Sequence, residues 1–199
     1  LKDCEVIVIT AGIPRKPGMS RDDLLLTNAK IMQAVLEDIK KYAPNSKIII
    51  VSNPLDAMVY AALKILKFPR EQVIGMAGIL DSARMSHFIC EKLGYGAGQI
   101  ESSVMGGHGD AMVPLVNYST VAGVSLPELL SKEDIEDIVT KTKNGGLQIV
   151  KLLETGSAYY APAHATSLMV EAILYNNNKI SPCSVMLDGE YDSKNVVSG

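Results

Sequence analysis

Two short, unbroken apolar runs with a helical stretch between them do most to constrain the fold of this chain. Val6-Ile7-Val8-Ile9-Thr10 and the segment 47–52 show no apolar/polar alternation. That is the pattern of parallel strands buried on both faces, not of strands with one face in water. Between them a long helix is expected over about 22–42, opened by Ser20 and two acids. Ser20 with Asp23 resembles a capping box, although the usual third residue is Glu or Gln. Pro54 suits a helix start ahead of 55–66, and 73–76 reads as a third short strand. Strands and helices alternating in this way imply right-handed crossovers and a parallel sheet, hence an α/β fold.

After Gly78 the pattern changes. A helix over 81–93 leads through a glycine-rich turn to β-like segments at 100–105 and 112–118. Helical stretches at about 132–154 and 158–175 follow, then a strand at 184–187. This mixture points to an α+β unit packed on the sheet, with the boundary near Gly78. Gly94-Tyr95-Gly96-Ala97-Gly98 has a superficial likeness to a dinucleotide fingerprint. Its third glycine is misplaced and it follows a helix, so it is read as a helix C-cap and turn.

Composition narrows the function. A net charge of -3 and a pI near 5.6 argue against a nucleic-acid surface, and no lysine run sits beside aromatic residues. Cys4, Cys90 and Cys183 are far apart and form no C-x-x-C, so neither a disulfide framework nor a zinc site is suggested. No apolar run approaches the roughly 18 residues of a membrane span. The expectation is a soluble cytoplasmic protein with no membrane partner. The start at Leu1-Lys2-Asp3-Cys4 and the β-rich close at Val196-Val197-Ser198-Gly199 suggest an internal fragment of a longer polypeptide.

The chemistry concentrates on a few residues. Of 19 Lys plus Arg, only Arg15, Arg21, Arg70 and Arg84 are arginine. Arginine is preferred to lysine where a planar fork must hold a carboxylate through two parallel hydrogen bonds. His108 lies in Gly106-Gly107-His108-Gly109-Asp110, where flanking glycines permit close backbone approach and leave room for a ligand. Asp110 is read as a turn former, and Asp81 is the better partner for His108. Asp81 and Arg84, three apart on one helix face, read equally as an ordinary N-terminal acid with an ion pair and as a functional pair. In the second reading the carboxylate holds a histidine tautomer and stabilises the imidazolium.

Arg15 and Arg21 flank Lys16-Pro17-Gly18-Met19-Ser20, in a loop leaving the C-terminal end of the first strand. That is where ligands of open α/β sheets bind, although a solvated basic loop would look much the same. Asn53 in Val51-Ser52-Asn53-Pro54 occupies the equivalent end of the next strand. Asn before Pro is a common turn signal, yet its amide offers both a donor and an acceptor. His87 and His164 sit in helical patterns and are read as structural.

In register, Thr10-Ala11-Gly12, the stretch Arg15 to Leu24, Val51-Ser52-Asn53-Pro54, Asp81-Ser82-Ala83-Arg84 and Gly107-His108-Gly109-Asp110 resemble the lactate/malate dehydrogenase superfamily. The resemblance covers almost the whole chain and is strongest to the bacterial malate dehydrogenases that are built like lactate dehydrogenases. It implies the second half of a Rossmann-type parallel sheet over 1–78, followed by an α+β substrate domain over 79–199 that is incomplete at its C-terminus. It also implies a role for each matched position. His108 is the acid/base and Asp81 orients it. Arg84 clamps the C1 carboxylate, Arg21 polarises the reacting C2 oxygen, and Arg15 holds the second carboxylate. Asn53 contacts substrate and nicotinamide, while Asn28, Val51, Ser52 and Asn53 line the cofactor cleft. The glycine-rich pyrophosphate turn and the acidic ribose reader of the family lie outside these residues, so the choice of NAD over NADP rests on the family default.

The implied reaction is reversible oxidation of (S)-malate to oxaloacetate by a homodimer or homotetramer. Three other readings stand beside it. A lactate dehydrogenase would share the catalytic set but carry an uncharged residue in place of Arg15. An NAD-dependent glycosidase on a related fold would have no evident use for three arginines so placed. A truncated, non-catalytic form would keep subunit contacts without binding cofactor.

Overall fold

Strand β1 (Val6–Ile9) pairs in parallel with β2 (Lys47–Ile50), and β2 with β3 (Val73–Gly75), giving a three-stranded sheet in sequence order. The computed structural model describes residues 1–14, 18–154 and 156–199, with Arg21 described in its backbone alone. Ile48, Ile49 and Ile50 are all fully buried. The unbroken isoleucine run follows from cover on both faces: Ile48 and Ile50 join one core and Ile49 joins another. Val8, by contrast, is 37% exposed, because its face of β1 borders a large cleft that Thr10 and Gly12 also line. Its expected burial on both faces is therefore corrected.

Helix α1 (Arg21–Tyr42) starts at a complete capping box. The Asp23 amide donates to Ser20 Oγ at 3.0 Å, and the Ser20 amide donates to Asp23 Oδ2 at 3.1 Å. Aspartate closes the box in place of the usual glutamate, with a further 2.6 Å bond from the Ser20 hydroxyl. Hydrogen bonds from the Ser20 hydroxyl and amide hold the Asp23 carboxyl below its usual range. Met32, Leu36 and Ile39 form a fully buried stripe at helical spacing. They pack with Met58, Val59, Ala62 and Leu66 of α2 (Leu55–Leu66) over one face of the sheet. Pro54 stands just ahead of the first helical turn, as expected.

Helix α3 (Gly78–Leu93) begins three residues before the expected start and serves two cores. Ile79 and Leu80 pack on the second face of the sheet with Ile49, Met76, Ala165 and Met169. Met85 and Ile89 turn the other way, into a core with Ile100, Val104, Met112, Val121, Leu126 and Ile138. That second core is framed by strands β4 (Ile100–Glu101), β5 (Val104–Gly106), β6 (Met112–Pro114), β7 (Thr120–Val121) and β8 (Val124–Ser125). Helices α4 (Leu126–Leu129) and α5 (Lys132–Leu153) complete it. The strands pair antiparallel, as β4-β7-β8 and β5-β6.

The expected β segment 112–118 is a strand only as far as Pro114, followed by a short 3-10 turn over Val116–Tyr118. Proline has no amide to extend the ladder. The β7–β8 hairpin escapes sequence reading because its turn is Ala122-Gly123, both at positive φ (50° and 85°). Asparagine or aspartate, not alanine, is the usual signal at the first of these positions.

Helix α6 (Tyr160–Leu174) covers the second face of the sheet. The hairpin of β9 (Val185–Asp188) and β10 (Lys194–Ser198) adjoins β3 through the antiparallel Gly75/Ser184 bridge. The architecture is thus α/β, a Rossmann-type parallel sheet followed by an α+β unit. No helix among the described residues is long and apolar enough to cross a membrane.

Arg70 clasps the terminal hairpin. Its two terminal nitrogens meet the two Glu190 oxygens at 3.0 and 2.7 Å, and one also donates to the Met186 carbonyl at 3.0 Å. Bonding to Arg70, aided by the Asp188 amide, pulls the Glu190 carboxyl down to about 2. A carboxyl lowered in the folded state contributes stability above its unfolded value of roughly 4.3, and loses it as pH falls toward the folded value. Glu190→Gln should therefore flatten the acid limb of the stability profile between about pH 4.5 and 2. Urea midpoints across that range check this, and an unchanged slope would show that the clasp contributes nothing. The effect is expected to be small, because exposed pairs are screened by water.

Candidate active site

Asp81 lies in the first turn of α3 between the two cores and is 1% exposed. A buried carboxylate is tolerated only when charge and hydrogen bonds compensate its lost hydration. Both are present. Arg84 Nη1 donates to Asp81 Oδ1 at 3.1 Å, and His108 Nδ1 lies 2.8 Å from Asp81 Oδ2. An ionised carboxylate only accepts, so Nδ1 carries the hydrogen and the Nε2 lone pair is the basic position of the neutral ring.

His108 is presented by the turn between β5 and β6, in which Gly106 and Gly109 both take positive φ (87° and 137°). Its backbone amide donates to Asp56 Oδ2 at 2.9 Å. Asp56, in the first turn of α2, went unnoticed in the sequence, where it reads as an ordinary acid at a helix start.

Arg84 is seated by a second feature that the sequence reading passed over. Gly145 and Gly146 lie in the interior of α5 and face the arginine. A Cβ on Gly145 would sit 3.2 Å from Arg84 Cδ, and one on Gly146 would sit 3.3 Å from Nη2. Two helix-interior glycines cost about 1 kcal/mol each relative to alanine, and that is the signal that could have marked them. Arg84 Nε is buried without a hydrogen-bond partner among the described residues.

His108 and Arg84 open on a cleft of about 1170 Å³. Its other walls are the ends of β1 and β2, with Gly12, Ile13, Asn28, Val51, Ser52 and Asn53, and the face of α6 with Pro162, Thr166 and Ser167. Three of the expected cofactor-side residues have bonds to the frame. The Asn28 amide accepts from the Ile13 amide at 2.8 Å and donates to the carbonyls of Ile13 and Asn53 at 3.2 and 2.7 Å. The Ser52 hydroxyl donates to the Ala11 carbonyl at 2.6 Å, and the Val51 amide bonds Ile9 at 2.9 Å. Together they shape the cleft floor. Asn53 is exposed at its mouth. Arg15 and the side chain of Arg21 lie outside the described residues.

Residues 1–75 match the family described as lactate/malate dehydrogenase, NAD binding domain, and residues 79–199 match lactate/malate dehydrogenase, alpha/beta C-terminal domain. The chain belongs to the lactate/malate dehydrogenase family. It is 64% identical over its full length to a malate dehydrogenase of Aliarcobacter butzleri and covers 63% of that protein. Among solved structures, the apo malate dehydrogenase from Picrophilus torridus superposes with a TM-score of 0.96 at 46% identity, over 100% of this chain and 62% of that one. The lactate dehydrogenase from Eimeria maxima with NADH and oxamate gives 0.94 at 43% identity, over 100% and 62%. The chain therefore spans less than two thirds of the length of these relatives.

Asn28 supplies the test of the cleft floor. Asn28→Ala removes the partner of three part-buried backbone groups, the Ile13 amide and the carbonyls of Ile13 and Asn53. It should destabilise the protein by about 1–3 kcal/mol, no more than one fully orphaned group, because water reaches these sites. Denaturant unfolding measures this. A loss below about 1 kcal/mol would mean that water replaces the amide and the floor does not depend on it.

Proposed function

We propose that the whole protein of which these residues form part is a malate dehydrogenase, interconverting (S)-malate and oxaloacetate with NAD. The observation that carries the reading is the buried Asp81 carboxylate, 2.8 Å from the half-buried His108, which opens with Arg84 on one cleft. Relatives named malate dehydrogenase at 64% identity support the same substrate. The cleft is large enough to admit a nicotinamide and a small dicarboxylate together, and it lies at the C-terminal ends of parallel strands, where such ligands bind. Gly12 fits this use, since a Cβ there would meet the Asn28 amide at about 3.1 Å and disturb the cleft floor.

Held by Asn53 over the floor of Asn28, Val51 and Ser52, NAD would supply the hydride acceptor for C2 of malate, and NADH the hydride donor for oxaloacetate. The protein's contribution is placement and charge. Neutral His108 takes the C2 hydroxyl proton at Nε2, and Asp81 stabilises the imidazolium that results. In the reverse direction the imidazolium gives that proton back. Arg84 grips the C1 carboxylate through two parallel hydrogen bonds. Arg21 polarises the C2 oxygen, and Arg15 holds the second carboxylate. In a site that excludes water, both would hold a dianion more strongly. Asn53 meets the substrate oxygen and the nicotinamide side, on a floor formed by Asn28, Val51 and Ser52. Residues 1–78 act as the cofactor half and 79–199 as the substrate half, in a cytoplasmic homodimer or homotetramer.

Lactate dehydrogenase is the reading to test against, because it shares His108, Asp81 and Arg84. A monocarboxylate leaves Arg15 unpaired in a closed site, at a cost of about 2–5 kcal/mol. The whole protein should reduce oxaloacetate far faster than pyruvate, and Arg15→Gln should narrow the gap. Equal rates on both substrates would remove malate and leave only the family.

The proton's carrier has its own test. His108→Asn should keep the fold and NADH binding while cutting turnover by about two to four powers of ten. Malate oxidation needs the neutral ring and oxaloacetate reduction the protonated one, so the two directions should respond oppositely to pH. Parallel profiles, with the asparagine variant active, would assign the proton to another group.

A further inference from the structure

His108 is held at two points by two carboxylates from different helices. Asp81 of α3 takes the ring nitrogen, and Asp56 of α2 takes the backbone amide at 2.9 Å. Asp56 is itself pinned on its other oxygen, where Ser184 Oγ donates at 2.6 Å. Ser184 is fully buried and locked to β3 by reciprocal backbone bonds with Gly75 at 2.8 and 2.9 Å. An unbroken chain of bonds thus runs from the parallel sheet through Ser184 and Asp56 to the histidine. Gly107, next to it, leaves room for the carboxylate, since a Cβ there would lie 3.3 Å from Asp56 Oδ2.

We infer that Asp56 is a positioning residue for the proposed acid/base, fixing the His108 turn against the sheet so that Asp81 can set only the ring. This rests on the dehydrogenase reading for its catalytic consequence. The physical need comes from the turn itself. Gly106, Gly107 and Gly109 surround His108 and give its backbone unusual freedom. One bond at Nδ1 leaves the ring free to pivot with the chain behind it. A charge-assisted bond to the amide removes that freedom, and a bond of this type is about twice as strong as a neutral one. Asp56 touches no reacting atom in this account. It acts through the backbone of the residue that does.

The test uses the whole protein with Asp56→Asn, Asp56→Glu and Ser184→Ala. Asp56→Asn keeps an acceptor for the His108 amide but loses its charge. Because misplacing a catalytic group by about 1 Å can cost roughly a hundredfold, the looser turn should lower kcat for oxaloacetate reduction by about tenfold. The KM for oxaloacetate and the Kd for NADH should stay within about twofold, since no ligand contact is lost. The chain has three histidines here, and the His108 imidazole signals are assigned by their absence in His108→Asn. Those signals should move in Asp56→Asn while those of His87 and His164 stay in place. Ser184→Ala leaves the bond to His108 intact and should lose at least about threefold less kcat than Asp56→Asn.

Equal losses in Asp56→Asn and Ser184→Ala, with the His108 signals unmoved, would make Asp56 a mere tie between α2 and the terminal hairpin and overturn the inference. If Asp56→Asn does not fold, Asp56→Glu decides: its longer arm should still shift the His108 signals and lower kcat, and wild-type values for both would overturn the inference. If the unmodified protein does not reduce oxaloacetate while Asp56→Asn still moves the His108 signals, the dehydrogenase reading fails and the positioning role stands.

Discussion

The site depends on one buried charge. Asp81 has almost no contact with water, and a carboxylate so placed persists only where its partners are rigidly supplied. Arg84 is supplied by the same helix, one turn on, and His108 by a turn between two short strands. The burial follows from α3 serving two cores at once. Ile79 and Leu80 face the sheet, Met85 and Ile89 face the second unit, and Asp81 falls on the seam between them. The same seam excludes water and brings the ends of the parallel strands opposite the histidine, so packing and chemistry share one cause.

The surroundings give up some local stability to serve that seam. Gly145 and Gly146 weaken α5 as a helix, yet they admit the Arg84 side chain against the helix where any Cβ would crowd it. Asn28 occupies a buried position that an apolar residue would fill at lower cost, and uses its amide to tie two loops at the strand ends. Local rules broken in this way tend to mark function, because a glycine pair in a helix or a buried amide has no local justification.

Much of the frame was legible in the chain. The isoleucine run of β2 is apolar on every residue because both of its faces are covered, and the stripe of α1 has helical period because only one of its faces is. The limits of legibility are equally physical. A hairpin turning on Ala122-Gly123 lacks the residues that normally announce it, and Val8 is exposed because its face of β1 borders the cleft. Neither is a property of a local stretch of sequence.

The same division holds in the site. The glycine-flanked His108, the Asp81/Arg84 spacing and Asn53 at a strand end stand out in the sequence because residue type and local spacing carry the signal. Sequence alone determined which side chains could do the chemistry, since that depends on what each group donates, accepts or holds in charge. It left undecided whether Asp81 and Arg84 were an ordinary surface pair, because that turns on burial. Only the tertiary structure brought Asp56 and Ser184, 128 residues apart, into one bond, and set a glycine pair of one helix against an arginine of another. Such contacts join elements distant along the chain, and close packing, not local pattern, decides which of them meet.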